Sequence, residues 1–364
     1  MISVLLATEP PMRAFSAIEG SPLEQRATVQ RVDKADGEDG ESYAARFDAL
    51  LPEAEVVLVS PWTWCVPPFT SERWERAGRL RVIAGTFSNR FAGWLNPGVA
   101  AARGITVIDT SRSMSPTVAE FGLAMTLNVL RDIPAGVQLV RAGAWRSSEP
   151  WDQPGFAHGD LAGRRVGLAG YGAINRRYAQ LLRPFACDVM TFDPFVQDES
   201  LQAGGVRRAA SLVDLASRSE ILVVGVPPTT ATQKIVGADV IDALPRGAIV
   251  IVLTRMAVVD QTALWRRAAA AEIRAAVDVF DPEPPPADAS FRSNPWVLPT
   301  PHIAGATTQC HRRCFTTACA DVLAVLAGEA PRHPVTATDD QLYRGDVEAL
   351  VQVPLSSPTG DTTA

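Results

Sequence analysis

Short apolar runs alternate along this chain with longer stretches whose apolar positions recur at helical spacing. Early in the chain the runs are Val4–Ala7, Glu55–Ser60, Arg81–Gly85 and Ile105–Asp109, with breaks at Gly20, Gly37, Gly40, Pro67 and Pro68. A second series comprises Arg164–Gly170, Asp188–Phe192, Glu220–Val226, Ala248–Leu253, Ile273–Val279 and, just before a histidine, Trp296–Pro299. Brief, mostly apolar runs separated by helical patterns are the signature of a parallel α/β protein. One long helix is expected from Pro116 to about Val140. Thr117-Val118-Ala119-Glu120 starts it, and Phe121, Leu123, Ala124, Leu127 and Leu130 keep the helical spacing. Another is expected from Thr307 to Ala327, stopping at Gly328 and Pro331. Residues 146–160 read as a polar loop, and residues 346–364, rich in Ser, Thr, Pro and Asp, as a disordered tail.

At 364 residues the chain exceeds one ordinary core, so two domains are expected. A hydrophobic content of 47% with 20% charged residues is that of a globular protein. The net charge of −6, without a Lys/Arg block, argues against nucleic-acid or anionic-membrane partners. The start, Met1–Pro11, has no basic segment and only a short apolar run, and no stretch approaches the ~20 apolar residues that span a bilayer. With five cysteines, an odd number, the expectation is reduced thiols in the cytoplasm. Cys310, Cys314 and Cys319, with His311 nearby, match no zinc-ligand spacing, so no metal is expected.

Chemistry concentrates where apolar runs end. Gly170-Tyr171-Gly172-Ala173-Ile174-Asn175 follows Arg164–Gly170 and opens a helical stretch. Gly170 permits the tight turn, and Gly172 lets backbone amides approach a pyrophosphate at a helix N-terminus. The third glycine of the dinucleotide fingerprint is Asn175 here. Asp193 ends the next run, near the spacing expected of the acid that bonds an adenosine ribose; such an acid repels a 2′-phosphate and favours NAD over NADP. Arg255 follows Ala248–Leu253, and its planar fork suits a carboxylate and the carbonyl beside it. Asp278 ends Ile273–Val279 facing the same crevice, within reach of the nicotinamide end of such a cofactor. Glu283 lies in the proline-stiffened Asp278–Pro286 loop and His302 in Pro301–Gly305. A carboxylate bonded to one imidazole nitrogen fixes the tautomer, so the other can serve as acid or base. Together these residues describe a nicotinamide-dependent redox site.

With these residues in place, the chain from about Leu50 to Val335 resembles the NAD-dependent D-isomer-specific 2-hydroxyacid dehydrogenase family. The resemblance rests on Val118-Ala119-Glu120, Gly170-Tyr171-Gly172, Asp193-Pro194, Val226-Pro227, Arg255 with Val259-Asp260, Asp278-Val279-Phe280 with Glu283, and Pro301-His302-Ile303-Ala304-Gly305. It implies a central Rossmann NAD-binding domain, residues 117–306. It also implies a discontinuous flavodoxin-like substrate domain, residues 1–116 and 307–345. By the same resemblance, Arg255 binds and polarises a 2-oxo acid, His302 is the acid/base, and Glu283 tunes it. Asp278 holds the carboxamide, the Ala173 and Ile174 amides hold the pyrophosphate, and Pro227, Thr232 and Thr254 line the cofactor. Ser88 and Asn89 are the candidate substrate-loop residues, and a homodimer through the linking helix is implied. Asn175, Val252, Met256 and the Ala84–Arg90 loop depart from the family pattern.

The reaction implied is reversible hydride transfer between NAD and a small D-2-hydroxy acid/2-oxo acid pair. Glu283 stands where formate-oxidising relatives carry Gln, which argues against formate. Two rivals stay open: an NAD-binding sensor or corepressor-like protein of the same fold, and a catalytically weakened paralogue.

Overall fold

The computed structural model describes residues 1–60, 66–87, 94–145 and 159–335. Two parallel sheets dominate it. The first contains β1 (Ile2–Thr8), β2 (Ala27–Asp33), β3 (Val56–Val59), β4 (Val82–Gly85) and β5 (Thr106–Asp109), in the order β2-β1-β3-β4-β5. That is the flavodoxin-like order. β2 was not apparent as an apolar run, because it is an edge strand whose ATVQRVD sequence alternates polar residues with apolar ones.

The second sheet contains β6 (Arg165–Ala169), β7 (Asp188–Phe192), β8 (Arg207–Arg208), β9 (Ile221–Val224), β10 (Ile249–Val252), β11 (Arg274–Val277) and β12 (Val297–Pro299). Its order, β12-β11-β10-β9-β6-β7-β8, is the doubly wound Rossmann arrangement, with the strand order reversing between β6 and β9. Register places Phe192, Ala169, Val224, Val252, Val277 and Pro299 side by side as partners on successive strands. The residues that follow them, Asp193, Gly170, Gly225, Leu253, Asp278 and Thr300, therefore leave the sheet along one edge. Val252 is a fully buried member of this sheet, so its departure from the family pattern is absorbed by the core.

The expected long helix is two helices, Ser115–Arg131 and Ile133–Arg141. Asp132 between them adopts the left-handed conformation, φ 49°, and Pro134 cannot continue a helix in register because its N–H is missing. Arg274 on β11 fixes the break, pairing with the Asp132 carboxylate at 2.8 Å and donating to the Val129 carbonyl. The first helix packs Val118, Met125, Val129 and Leu130 with Val166, Leu168, Ile249 and Ile251 of the second sheet and with Leu253 just beyond β10. The C-terminal helix, Thr308–Leu326, instead packs Phe315, Ala318, Cys319 and Val322 with Val4, Leu6, Val56, Leu58 and Val82 of the first. Among the described residues no helix is long and apolar enough to cross a membrane, and no His/Cys/Asp/Glu group is placed to hold a metal ion.

Candidate active site

The glycine turn sits at the switch point, after β6 and beside β9. Gly170 has φ +82°, a left-handed conformation that favours glycine, and a Cβ there would meet the Gly225 backbone only at ordinary contact distance, 3.4 Å. Gly172 differs. Its φ is −73° and a Cβ on it would meet no protein atom within 4 Å. Nothing in the protein demands glycine there; the open backbone suits a ligand that must come close. Helix Ala173–Leu182 begins immediately after it, so the first N–H groups, Ala173 and Ile174, have no intrahelical acceptor. Amides exposed beside a bare backbone fit the pyrophosphate of a dinucleotide.

Asp193 leaves β7 next to this turn and is half-buried. Its Oδ2 accepts from the Tyr171 N–H at 2.7 Å and its Oδ1 from the Phe195 N–H at 2.9 Å. On the other side, Thr254 donates to the Val226 carbonyl at 3.1 Å, holding together the loops after β9 and β10. Thr232 donates to the Pro227 carbonyl at 2.6 Å and shares reciprocal bonds with Thr229, which fixes the loop carrying exposed Pro227.

The end formed by β10, β11 and β12 carries the polar residues suited to proton transfer. Arg255 is half-buried and extended, and one guanidinium nitrogen donates to the Thr254 carbonyl at 2.6 Å. His302 Nδ1 lies 2.8 Å from Glu283 Oε2, and Glu283 Oε1 accepts from the Phe280 N–H at 2.8 Å. The carboxylate is thus tied at one oxygen and orients the imidazole with the other. Nε2 is left as the nitrogen for a reacting group. His302 itself has φ +54°, a conformation uncommon for histidine and of the kind found at sites where a side chain is held for a task.

Asp278 does something the sequence did not suggest. Its side chain is fully buried, and Oδ1 accepts from Thr300 Oγ1 at 2.6 Å and the Ile303 N–H at 2.9 Å, while Oδ2 accepts from the Ala304 N–H at 2.8 Å. These three bonds brace the Thr300–Ala304 loop that presents His302. Thr300, which completes this brace, carries no separate signal in the sequence beyond its place beside Pro301-His302. Met256 is 2% exposed and belongs to the same buried core as Val258 and Phe291. Ser88 and Asn89 lie outside the described residues, as do residues 146–158 of the polar loop and the 346–364 tail.

Known proteins are similar along most of this chain. D-3-phosphoglycerate dehydrogenase of Methanocaldococcus jannaschii is 27% identical over 293 residues, 78% of this chain and 52% of that protein. The enzyme of the same name from Mycobacterium tuberculosis is 30% identical over 284 residues, 77% of this chain and 51% of its own. The chain spans about half the length of these curated relatives. Among solved structures, a phosphoglycerate oxidoreductase from Rhizobium etli superposes with a TM-score of 0.73 at 25% identity, covering 91% of this chain and 97% of that one. An NADPH-dependent glyoxylate/hydroxypyruvate reductase from Sinorhizobium meliloti, solved with NADP and malonate, gives a TM-score of 0.69 at 26% identity, covering 93% of this chain and 98% of its own. The family model described as "D-isomer specific 2-hydroxyacid dehydrogenase, NAD binding domain" matches residues 123–304. That segment is half of the sequence and holds the glycine turn, Arg255, Glu283 and His302, and the chain belongs to the D-isomer specific 2-hydroxyacid dehydrogenases.

Proposed function

We propose that this protein transfers hydride reversibly between NAD(H) and a small D-2-hydroxy acid/2-oxo acid pair. The observation that carries the reading is the His302–Glu283 pair, 2.8 Å apart and emerging beside Arg255 from neighbouring strand ends. The cofactor supplies or accepts the hydride. In the reducing direction His302 Nε2 gives a proton to the carbonyl oxygen, while Glu283 stabilises the charge left on the ring before transfer. Arg255 holds the carboxylate and counters negative charge as it develops on the reacting oxygen. Asp193 supports NAD over NADP, because a carboxylate at the ribose repels a 2′-phosphate.

The packing of the two sheets supports a Rossmann domain of residues 117–306 beside a substrate domain of 1–116 and 307–345. Helix Ile133–Arg141 buries none of its residues and exposes Ile133, Val137, Leu139 and Val140, with Trp145 beyond it at 77% exposure. That apolar surface supports a homodimer through this region. The described cysteines are free thiols, which supports a cytoplasmic setting.

The test is NADH oxidation with a panel of small 2-oxo acids, run on the parent and on His302→Ala. The parent should turn over at least one acid, and the variant should lose about 10²–10⁴ in kcat while still binding NADH. A parent that binds NADH but reduces none of them favours the sensor reading.

A further inference from the structure

Asn175 stands where the family pattern has its third glycine, and it is 1% exposed beneath the turn. Its Nδ2 donates to the Gly170 carbonyl at 2.8 Å and to the Ala169 carbonyl at 3.3 Å. The Gly170 carbonyl and the Tyr171 N–H belong to one peptide group, and that N–H donates to Asp193 at 2.7 Å. One peptide is therefore clamped from both sides, by Asn175 at its carbonyl and by Asp193 at its N–H. Room for the amide comes from Gly225 across the switch point. A Cβ on Gly225 would lie 2.3 Å from Asn175 Nδ2 and 2.6 Å from its Cγ, while the Gly225 backbone itself has no left-handed φ. Glycine at 225 is thus a matter of space, and what fills the space is Asn175. The amide is kept although its Oδ1 is buried with no hydrogen-bond partner among the described residues, a cost that a purely packing residue would avoid.

We propose that Asn175 is a positioning residue for the cofactor: seated in the space left by Gly225, its amide fixes the Gly170–Tyr171 peptide, and with it the phosphate-facing turn and the ribose acid. This rests on the dinucleotide reading above. It carries an unusual consequence, that restoring the glycine of the family pattern weakens cofactor binding.

The experiment compares the full-length parent with Asn175→Gly, Gly225→Ala and the double variant. NADH affinity is read by fluorescence, steady-state KM and kcat by absorbance, and folding by thermal melting. Asn175→Gly should raise the NADH Kd and KM about five- to tenfold, the scale of one lost hydrogen bond, with kcat and the oxo-acid KM changing far less. Gly225→Ala should also weaken NADH binding by displacing the amide, yet add nothing further in the Asn175→Gly background. Unchanged or tighter NADH binding by a folded Asn175→Gly overturns the proposal, as does a double variant whose loss is the product of the two single losses. If Gly225→Ala does not fold, Asn175→Gly against the parent decides. A melting point that falls with no selective change in the NADH KM also overturns it, by reducing Asn175 to packing. A parent that binds neither NADH nor NADPH refutes the functional reading itself.

Discussion

Asp278→Asn tests most directly how His302 is held in place. In the parent, three donors converge on a fully buried carboxylate, with Thr300 and Ile303 at one oxygen and Ala304 at the other. An amide keeps only one acceptor oxygen. Its best orientation leaves that oxygen with Thr300 and Ile303 and turns the NH2 toward the Ala304 N–H, so donor faces donor. The lost bond is one to a charged group, worth about 1.5–3 kcal/mol, and the two retained bonds weaken as the charge disappears. Part of this is offset, because a neutral amide is cheaper to bury than a carboxylate. The net expectation is a loss of roughly 2–3 kcal/mol in stability. Because the loop between Thr300 and Ala304 presents His302, a shift of about 1 Å there is enough to cost on the order of 10²-fold in rate. The assay pairs urea unfolding of the cofactor-free protein with steady-state reduction of the best 2-oxo acid. Stability and kcat should fall together, with little change in the NADH KM. Unchanged stability with a raised NADH KM would refute the bracing role and return Asp278 to the cofactor's carboxamide.

Glu283→Gln keeps a hydrogen-bond acceptor for His302 but stabilises a protonated imidazole less than a carboxylate does. Activity for oxo-acid reduction should therefore be lost at lower pH than in the parent, and superimposable pH profiles would show that the pair does not act together. Arg255→Lys preserves charge but loses the planar fork, and should cost about 2–4 kcal/mol in kcat/KM, spread over both constants; a nearly silent variant makes the arginine structural. The Cys310 thiol is held below its ordinary value by its hydrogen bond with Cys314, against the opposing effect of burial, and further by Thr117 and the nearby Arg313 guanidinium. A group whose folded value lies below its ordinary one contributes stability above the ordinary value, and that contribution is lost as pH falls through the folded value. As pH rises toward the ordinary thiol value the parent should therefore gain melting temperature relative to Cys310→Ala, and a constant difference would mean the thiol stays protonated.

The sequence by itself determined the strand ends and the residues that leave them. Runs such as Ile249–Val252 and Ile221–Val224 are buried throughout, and burial on both faces writes a continuous apolar signal that needs no knowledge of partners. Gly170, Asp193, Arg255, Glu283 and His302 were legible for the same reason, since each stands at a fixed offset from such a run or in a local loop pattern. What remained hidden depends on residues far apart in sequence. The break at Asp132 is set partly by Pro134, which was readable, but its geometry is fixed by Arg274, 142 positions away. The bracing role of Asp278 was hidden because nothing local shows that Thr300, Ile303 and Ala304 fold back onto it. The fit of Asn175 into the space of Gly225 joins two neighbouring strand ends that lie 50 or more residues apart along the chain. Local spacing carries backbone periodicity and turn chemistry; which side chain fills which space, and which polar group is already spoken for, is settled only when the strands lie side by side.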